Sequence, residues 1–258
     1  MKIWFRICFV LGFCMVLNAC APSKVTLPSA EEQEARWQKF TTHTISENPY
    51  TLQGSFRFGD KDNTNRVNYI FWSNGSLPLR VDVMAGVGAS IAKVREDTEQ
   101  VLMYLVQEKR AIRMENFGEM NPLVSLGMPV PLSFYEMSLL LRGGFNQVLQ
   151  ELQLDTVKSK NAKKDHEKYT YYFSSINMDG MVQLNALGMP VHCEIDNAWA
   201  FDLQYEENNA MLPYRVVISS LIDDYKAILL VKERSTPPIY NADDLIFELP
   251  QGTEISAD

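Results

Sequence analysis

The sequence predicts an α+β protein that is mainly β, and three observations lead to this class. Apolar and polar residues alternate with the period of a strand through residues 50–106, and again from 169 to 249. Between these stretches, residues 133–154 show the 3.6-residue period of helices. Turn-forming residues separate the strand patterns at short intervals, as in antiparallel meanders. About eleven strands are therefore expected, interrupted by a pair of helices.

The first 19 residues have the layout of a secretory signal. Lys2 and Arg6 supply a positively charged start, and residues 7–16 form an apolar run that is too short to cross a bilayer as a helix. Such a segment is removed during export. We therefore expect residues 1–19 to be missing from the folded protein.

A cysteine follows the apolar run. Leu17, Asn18 and Ala19 precede Cys20, and an apolar residue at −3, alanine at −1 and cysteine at +1 resemble the lipobox of bacterial lipoproteins, although asparagine at −2 is unusual there. In that class the thiol carries diacylglycerol and the new amino terminus is acylated. The resemblance implies that membrane lipid is attached at Cys20 and that the anchorage is effectively permanent. The alternative is ordinary cleavage after Ala21, which would discard the cysteine.

Length and charge limit the partners of the mature chain. Removing 19 residues from 258 leaves 239, which suits one domain at 29–258 joined to Cys20 by a tether at 20–28. Loss of Lys2 and Arg6 leaves 22 basic against 32 acidic side chains, a formal balance of −10. This acidity argues against nucleic acid as a partner and suits a periplasmic domain. We expect a monomer.

Helix signals stand at two places. Residues 29–32 have the S-x-x-E spacing of a capping box, which predicts a helix from there to about residue 40. Residues 133–136 repeat that spacing, and their helix should end at the two glycines 143–144. A second helical run follows at 145–154.

Strand patterns fill most of the remaining chain. They cover residues 50–58, 67–72, 77–84, 89–95, 101–106, 169–174, 181–187, 191–195, 199–205, 212–221, 225–233 and 245–249. The strand at 101–106 is apolar on both faces, so both faces need cover. Five lysines lie in the charged segment 155–168, which favours a solvated loop; the alternative is a site for lipid headgroups.

Side chains that could perform chemistry are scattered. His43, His166 and His192 share no spacing typical of metal ligands, and no nucleophile elbow occurs. In a strand, His192 and Glu194 share a face while Cys193 points away, which favours a buried thiol over a nucleophile. No catalytic residue, metal ligand or cofactor is therefore predicted, and the protein is not expected to be an enzyme.

Three local patterns resemble the LolA/LolB superfamily of lipoprotein carriers, and within it the LolB-like outer-membrane lipoproteins. Residues 79–88 resemble the strand entering that family's apolar protruding loop, residues 131–144 its lid helix, and residues 245–252 its closing strand. The resemblance spans residues 30–252. It implies an open half-barrel of about 11 antiparallel strands, with helices forming a lid over a hydrophobic cavity. The charged segment 155–168 is longer than in the receptor itself.

The same resemblance implies a lipid-anchored, periplasm-facing protein of the outer membrane that binds acyl chains of lipoproteins or lipids. It also implies a LolA-like periplasmic carrier as partner. The residues expected in the cavity or lid are Leu79, Val81, Val83, Leu102, Tyr104, Leu139 and Leu140. Two alternatives stay open. These residues fill a closed core, or the fold is a non-catalytic scaffold that docks other envelope proteins.

The turn at 84–88 is apolar where hairpin tips are normally polar. Gly86 and Gly88 flank Val87 and leave it no obvious packing partner within the turn. Under the resemblance, Val87 matches an apolar loop residue implicated in passing lipoprotein to the membrane. The alternative is that Val87 folds back onto the sheet.

Overall fold

The computed structural model describes residues 29–115, 122–151, 164–165, 168–174 and 179–257. The signal at 1–19, Cys20, the tether at 20–28, most of the charged segment 155–168 and the end of the second predicted helix lie outside these ranges. The strands are β1 Tyr50–Gly59, β2 Thr64–Ser73, β3 Leu79–Met84, β4 Ser90–Glu96, β5 Gln100–Leu105, β6 Arg110–Glu115, β7 Lys164–Asp165, β8 Lys168–Ser174, β9 Asp179–Leu184, β10 Pro190–Ile195, β11 Trp199–Glu206, β12 Asn209–Ser220, β13 Lys226–Ser235 and β14 Glu254–Ala257. The helices are α1 Ala30–Thr41, α2 Pro122–Ser125, α3 Phe134–Leu141, α4 Phe145–Glu151 and a 3₁₀ helix Ala242–Leu245.

The strands within the described ranges form one open sheet. Its order is β14-β6-β5-β4-β3-β2-β1-β13-β12-β11-β10-β9-β8-β7, so two antiparallel meanders meet where β1 pairs with β13. The protein is therefore mainly β, as predicted. The expected count of about eleven is wrong, because the described chain has fourteen strands.

Three strands were not predicted, and one predicted strand does not form. β6, β7 and β14 are short or rich in charge, so they lack a clear alternation. β14 pairs with β6 in parallel, against the expectation of a wholly antiparallel sheet. The predicted closing strand at 245–249 is instead the end of the 3₁₀ helix followed by chain that joins no ladder.

The segment after the 3₁₀ helix crosses the outer face of the sheet. Nη1 of Arg80 donates hydrogen bonds to the backbone oxygens of Asp244 at 3.0 Å and Ile246 at 3.1 Å. Arg80 lies on β3 between Leu79 and Val81, whose side chains point into the core. The carbonyls of this segment are thus bonded to a side chain on the convex face, which removes them from strand pairing.

Both predicted capping boxes are present. Oγ of Ser29 accepts from the backbone N–H of Glu32 at 3.1 Å, and Oγ of Ser133 accepts from that of Glu136 at 3.0 Å. Gly143 follows α3 with φ +88°, a conformation that glycine adopts without steric cost. Local signals alone therefore located the starts of α1 and α3.

The two ends of the sheet differ. We call one the loop end; it carries the connections 60–63, 85–89, 106–109, 196–198 and 221–225. The other, the helix end, carries the connections 74–78, 97–99, 185–189 and 207–208. α3 begins at the helix end, because the backbone N–H of Tyr135 donates to Glu96 at the last position of β4. Among the described residues, no helix is both long and apolar enough to span a bilayer.

Candidate functional site

The concave face of the sheet packs against α3 and α4 in one apolar core. Leu79, Val81 and Val83 contribute the strictly alternating side of β3, and Leu139 and Leu140 come from α3. These five side chains are between 0% and 5% exposed. Five of the seven residues predicted for the cavity or lid are thus brought together.

Among the described residues, no void large enough for water adjoins Leu79 or Leu140. A side chain that borders a void large enough for water keeps accessible surface, whereas Leu79 and Leu140 have none. The core also receives aromatic side chains from both meanders and both helices, such as Phe71, Phe134, Phe145 and Phe201. In this conformation an acyl chain could enter beside these residues only if the helices moved away from the sheet.

Leu102 and Tyr104, the other two, lie on the opposite face of β5 and outside the core cluster, although Tyr104 is only 6% exposed. Their neighbours Val101 and Met103 point inward and belong to the core, whereas Leu102 pairs laterally with Arg95 and is only half-buried. Because β5 carries apolar side chains on both faces, its sequence pattern does not show which face points into the core. The inward face is fixed by register with Val94 and Glu96 on β4.

Polar contacts join α3 to the sheet. The Tyr50 hydroxyl donates to Oγ of Ser138 at 2.9 Å, and a carboxylate oxygen of Glu96 accepts from the backbone N–H of Tyr135 at 3.0 Å. At the other end of the helix, Nη2 of Arg234 donates to the carbonyl of Leu141 at 3.2 Å. Burial lowers the pKa of Arg234 and raises that of Tyr50. These three hydrogen bonds, one buried and two partly buried, add to the apolar contacts that α3 makes with the core.

A cavity of about 390 Å³ opens beside these contacts at the helix end. Ile45 and Leu212 form apolar walls, and Arg142 and Arg234 bring two guanidinium groups. The Arg142 guanidinium stacks over the ring of Tyr50 at 4.1 Å, while Nε of Arg234 is buried without a hydrogen-bond partner among the described residues. Both guanidinium groups already have partners, since Arg142 donates to the carbonyls of Ser46 and Gly75 and Arg234 pairs with Glu206 at 3.3 Å. The lining therefore combines apolar walls with positive charge that is partly compensated.

The β3–β4 connection presents Val87 to solvent. Its side chain is 94% exposed and therefore does not fold back onto the sheet. The N–H of Gly88 donates to the carbonyl of Ala85 and that of Ala85 to the carbonyl of Ala89, both at 2.8 Å, and Gly88 has φ +86°. A substituent on Gly86 or Gly88 would meet no atom within 4 Å, so nothing in the described chain surrounds this tip.

The histidine–cysteine–glutamate triplet on β10 is arranged as predicted. Nδ1 of His192 lies 2.7 Å from Asp202 and Nε2 lies 3.1 Å from Glu194, on the outer side of the strand. Cys193 points the other way into the core, and burial raises its thiol pKa. A thiol that is buried and protonated is a poor nucleophile. Within the described ranges, no three potential ligand side chains cluster as a metal site would require.

Two features of the site were not predicted from the sequence. Glu96 lies just beyond the strand predicted at 89–95, although it continues the inward series Ala92 and Val94 at a spacing of two. The second feature is the β12–β13 turn, in which Leu221 is 47% exposed and Ile222 is 75% exposed. Two consecutive aliphatic residues in a turn were the sequence signal that could have indicated an exposed apolar site there.

The described chain, an open and mainly β sheet with short helices on its concave apolar face, is similar in fold to solved structures that include a LolA superfamily protein. A LolA superfamily protein from Nitrosomonas europaea matches over 84% of this chain and 97% of its own, with 8% identity and a TM-score of 0.52. A DUF1329 family protein from Desulfovibrio piger matches over 86% and 98%, with 7% identity and a TM-score of 0.51. No protein-family model matches the sequence, and no curated protein matches it either. At these identities the likeness concerns the fold alone.

Proposed function

We propose that this chain is a lipid-anchored, periplasm-facing lipoprotein of the outer membrane that binds acyl chains between its sheet and α3. The observation that carries the proposal is a concave sheet face made of apolar side chains and covered by helices whose described parts are only 4, 8 and 7 residues long. Short helices bury less area than a continuous layer would, so displacing them costs less. The function is binding and transfer, without covalent chemistry.

Acyl chains enter when α3 moves away from the sheet. The segment before the helix contains Pro129 and Pro131, and Gly143 follows it in a left-handed conformation. These positions are suited to act as hinges. The polar contacts at Tyr50, Glu96 and Arg234 hold the closed state, and the cavity beside Arg142 accepts the head group.

Delivery uses the tip formed by Gly86, Val87 and Gly88. An exposed aliphatic side chain on a short, hydrogen-bonded turn gains free energy by entering the acyl region of a bilayer. The acyl anchor at Cys20 keeps the domain beside that bilayer. A LolA-like periplasmic carrier supplies the chains in this scheme.

Opening can be tested at Tyr50. Tyr50→Phe removes one sheet-to-helix hydrogen bond and leaves no orphan, because Oγ of Ser138 still donates to the carbonyl of Tyr135 at 2.8 Å. We expect several-fold faster uptake of a fluorescent fatty acid. The matched control is Tyr69→Phe, which removes a buried hydroxyl bonded to Leu230 within the sheet and should leave the uptake rate unchanged.

Equal uptake by the wild type and both variants would contradict the role of Tyr50 in holding the closed state, whereas no uptake by any of them would contradict the acyl-binding proposal. The absence of uptake would favour the second candidate, a scaffold lipoprotein, which the dense packing around Leu79 and Leu140 supports. Native mass spectrometry separates the two candidates independently. The acyl-binding protein should carry co-purified lipid within the domain, whereas a scaffold should have only the mass of the polypeptide and its anchor.

A further inference from the structure

A second exposed apolar turn lies at the same end of the sheet as Val87. The β12–β13 connection contains Leu221, 47% exposed, and Ile222, 75% exposed. Strands β3 and β4 and strands β12 and β13 both join at the loop end. Four strand spacings separate the two connections in the sheet order, roughly 19 Å along a flat sheet.

The β12–β13 turn is held rigidly with Ile222 outward. Oγ of Ser220 accepts from the N–H groups of Ile222 at 3.2 Å and Asp223 at 3.0 Å, and the N–H of Leu221 donates to the carbonyl of Ala198 at 2.7 Å. These hydrogen bonds fix the turn in a conformation that exposes the Ile222 side chain. No backbone rearrangement is needed before this side chain enters an apolar phase.

The first residues of α1 point toward this same end. The carbonyl of Gln33 accepts from the Tyr171 hydroxyl at 2.9 Å, in the middle of β8, whereas Arg36 stacks on Tyr169 at 3.9 Å, near the helix end of that strand. The helix thus runs antiparallel to β8, and its first residues point toward the loop end. The described chain begins at Ser29, on the loop-end side of Gln33, and residues 20–28 can span at most about 30 Å. We therefore take the bilayer that holds Cys20 under the proposed function to face the loop end.

We propose that Ile222, with Leu221 beside it, is a second membrane-inserting tip that acts together with Val87, so that the loop end of the sheet rests on the bilayer surface. This inference rests on the proposed function, because it takes the anchored bilayer as the working surface. Two insertion points fix the orientation of the domain, whereas one would leave it free to tilt about Val87.

A bilayer fits these tips better than a protein partner does. The tips are separate, and the β1–β2 connection between them exposes Asp60, Lys61 and Asp62. A protein interface requires one contiguous complementary patch, but hydrocarbon accepts isolated aliphatic side chains in any register. Asp223 and Asp224 next to Ile222 favour a zwitterionic surface, and Lys61 pairs with Asp224 at 2.9 Å.

The test places an environment-sensitive NBD fluorophore at single cysteines of the full acylated protein in phosphatidylcholine vesicles. Native thiols do not interfere, because Cys20 carries lipid under the proposal and Cys193 is fully buried. Ile222→Cys and Val87→Cys probe the two tips. Ile239→Cys is the matched control, since Ile239 is 77% exposed and lies at the helix end, beside Tyr240 bonded to Asn74.

Insertion predicts a several-fold rise in emission at positions 222 and 87, quenching of both by lipid-borne nitroxide, and neither effect at position 239. A response at 87 without one at 222 overturns the second tip and leaves the proposed function standing. Silence at both positions overturns the membrane role of Val87 as well. A rise at 222 that the lipid-borne quencher does not reduce shows burial against protein and overturns the inference.

A functional readout accompanies the probes. Ile222→Glu should slow delivery of a bound fluorescent fatty acid to acceptor vesicles several-fold while uptake stays unchanged, because the turn is remote from the helix end. Ile239→Glu should change neither rate. Normal delivery by Ile222→Glu would overturn the inference.

Discussion

Glu96 is a buried carboxyl group at the contact between the sheet and α3, and the fold shifts its pKa. It is 3% exposed, between the end of β4 and the start of α3. Burial raises the pKa of its carboxyl to about 7, against the opposing effect of hydrogen bonds from Tyr135 and Ser133. Since the folded pKa exceeds the ordinary value of 4.5, the native state binds the proton more tightly than the unfolded chain does.

The stability should therefore fall as pH rises. The protonated Glu96 adds at most about 3 kcal/mol to the free energy of unfolding. This stabilisation is complete below about pH 4.5, falls progressively as the pH rises to about 7, and is absent at higher pH. Glu96→Gln keeps an acceptor for the Tyr135 N–H but cannot ionise. Urea unfolding should show the wild type losing more stability than Glu96→Gln between pH 5 and pH 8. Glu99→Gln, in the exposed part of the same turn, is the control, and equal pH slopes in all three proteins would refute the assignment.

Single residues were predictable from sequence where the strand phase was unambiguous. His192, Cys193 and Glu194 take the faces expected of consecutive strand positions. The face of Leu102 was not predictable because β5 offers apolar side chains on both faces, and only pairing with β4 distinguishes them. The exposure of Val87 was left open, since packing of a hairpin tip depends on neighbours that are remote in sequence.

Elements were predictable where their signals are local. A capping box needs four consecutive residues, so the starts of α1 and α3 followed from Ser29 and Ser133. The alternation at 245–249 suited a strand equally well, but strand formation requires a free edge. β6 already accepts β14 at that edge, and the carbonyls of Asp244 and Ile246 bond to Arg80.

Arg80 should hold the C-terminal segment onto the sheet. Besides its two bonds to that segment, its guanidinium pairs with Asp82 at 3.2 Å and stacks on Trp72 at 4.5 Å. Arg80→Met removes all these contacts and leaves Asp82 unpaired and half-buried. We expect a loss of about 2 kcal/mol of unfolding free energy and faster proteolysis within residues 246–253. Arg66→Met, at an exposed position of β2, should be neutral in both measurements. An intact segment in Arg80→Met would show that other contacts hold it.

At the scale of the whole molecule, the fold class followed from many weak alternation signals that agree with one another. Whether the interior holds an open cavity or a filled core could not be predicted from the sequence in the same way. The apolar residues that would line a cavity are the same ones that fill a core, and only the packing of α3 and α4 decides between the two. The balance between closed and open forms is a small difference of large terms, so sequence pattern does not determine it.

Under the proposed function, the location of the whole molecule depends on one atom, the sulfur of Cys20. A serine hydroxyl does not replace the thiolate in alkylation by diacylglycerol, so Cys20→Ser should give an unprocessed or soluble chain that no longer partitions with membranes. The wild type should fractionate with the outer membrane, because Ala21 at +2 is not the aspartate that retains lipoproteins at the inner membrane in the best-known sorting systems. Cys193→Ser is the matched control: it alters a buried thiol, costs some stability and should leave membrane partitioning intact. Recovery of a wild-type mature chain that begins at Pro22 would mean that the cysteine is discarded, and with it the anchor on which the orientation of the loop end depends.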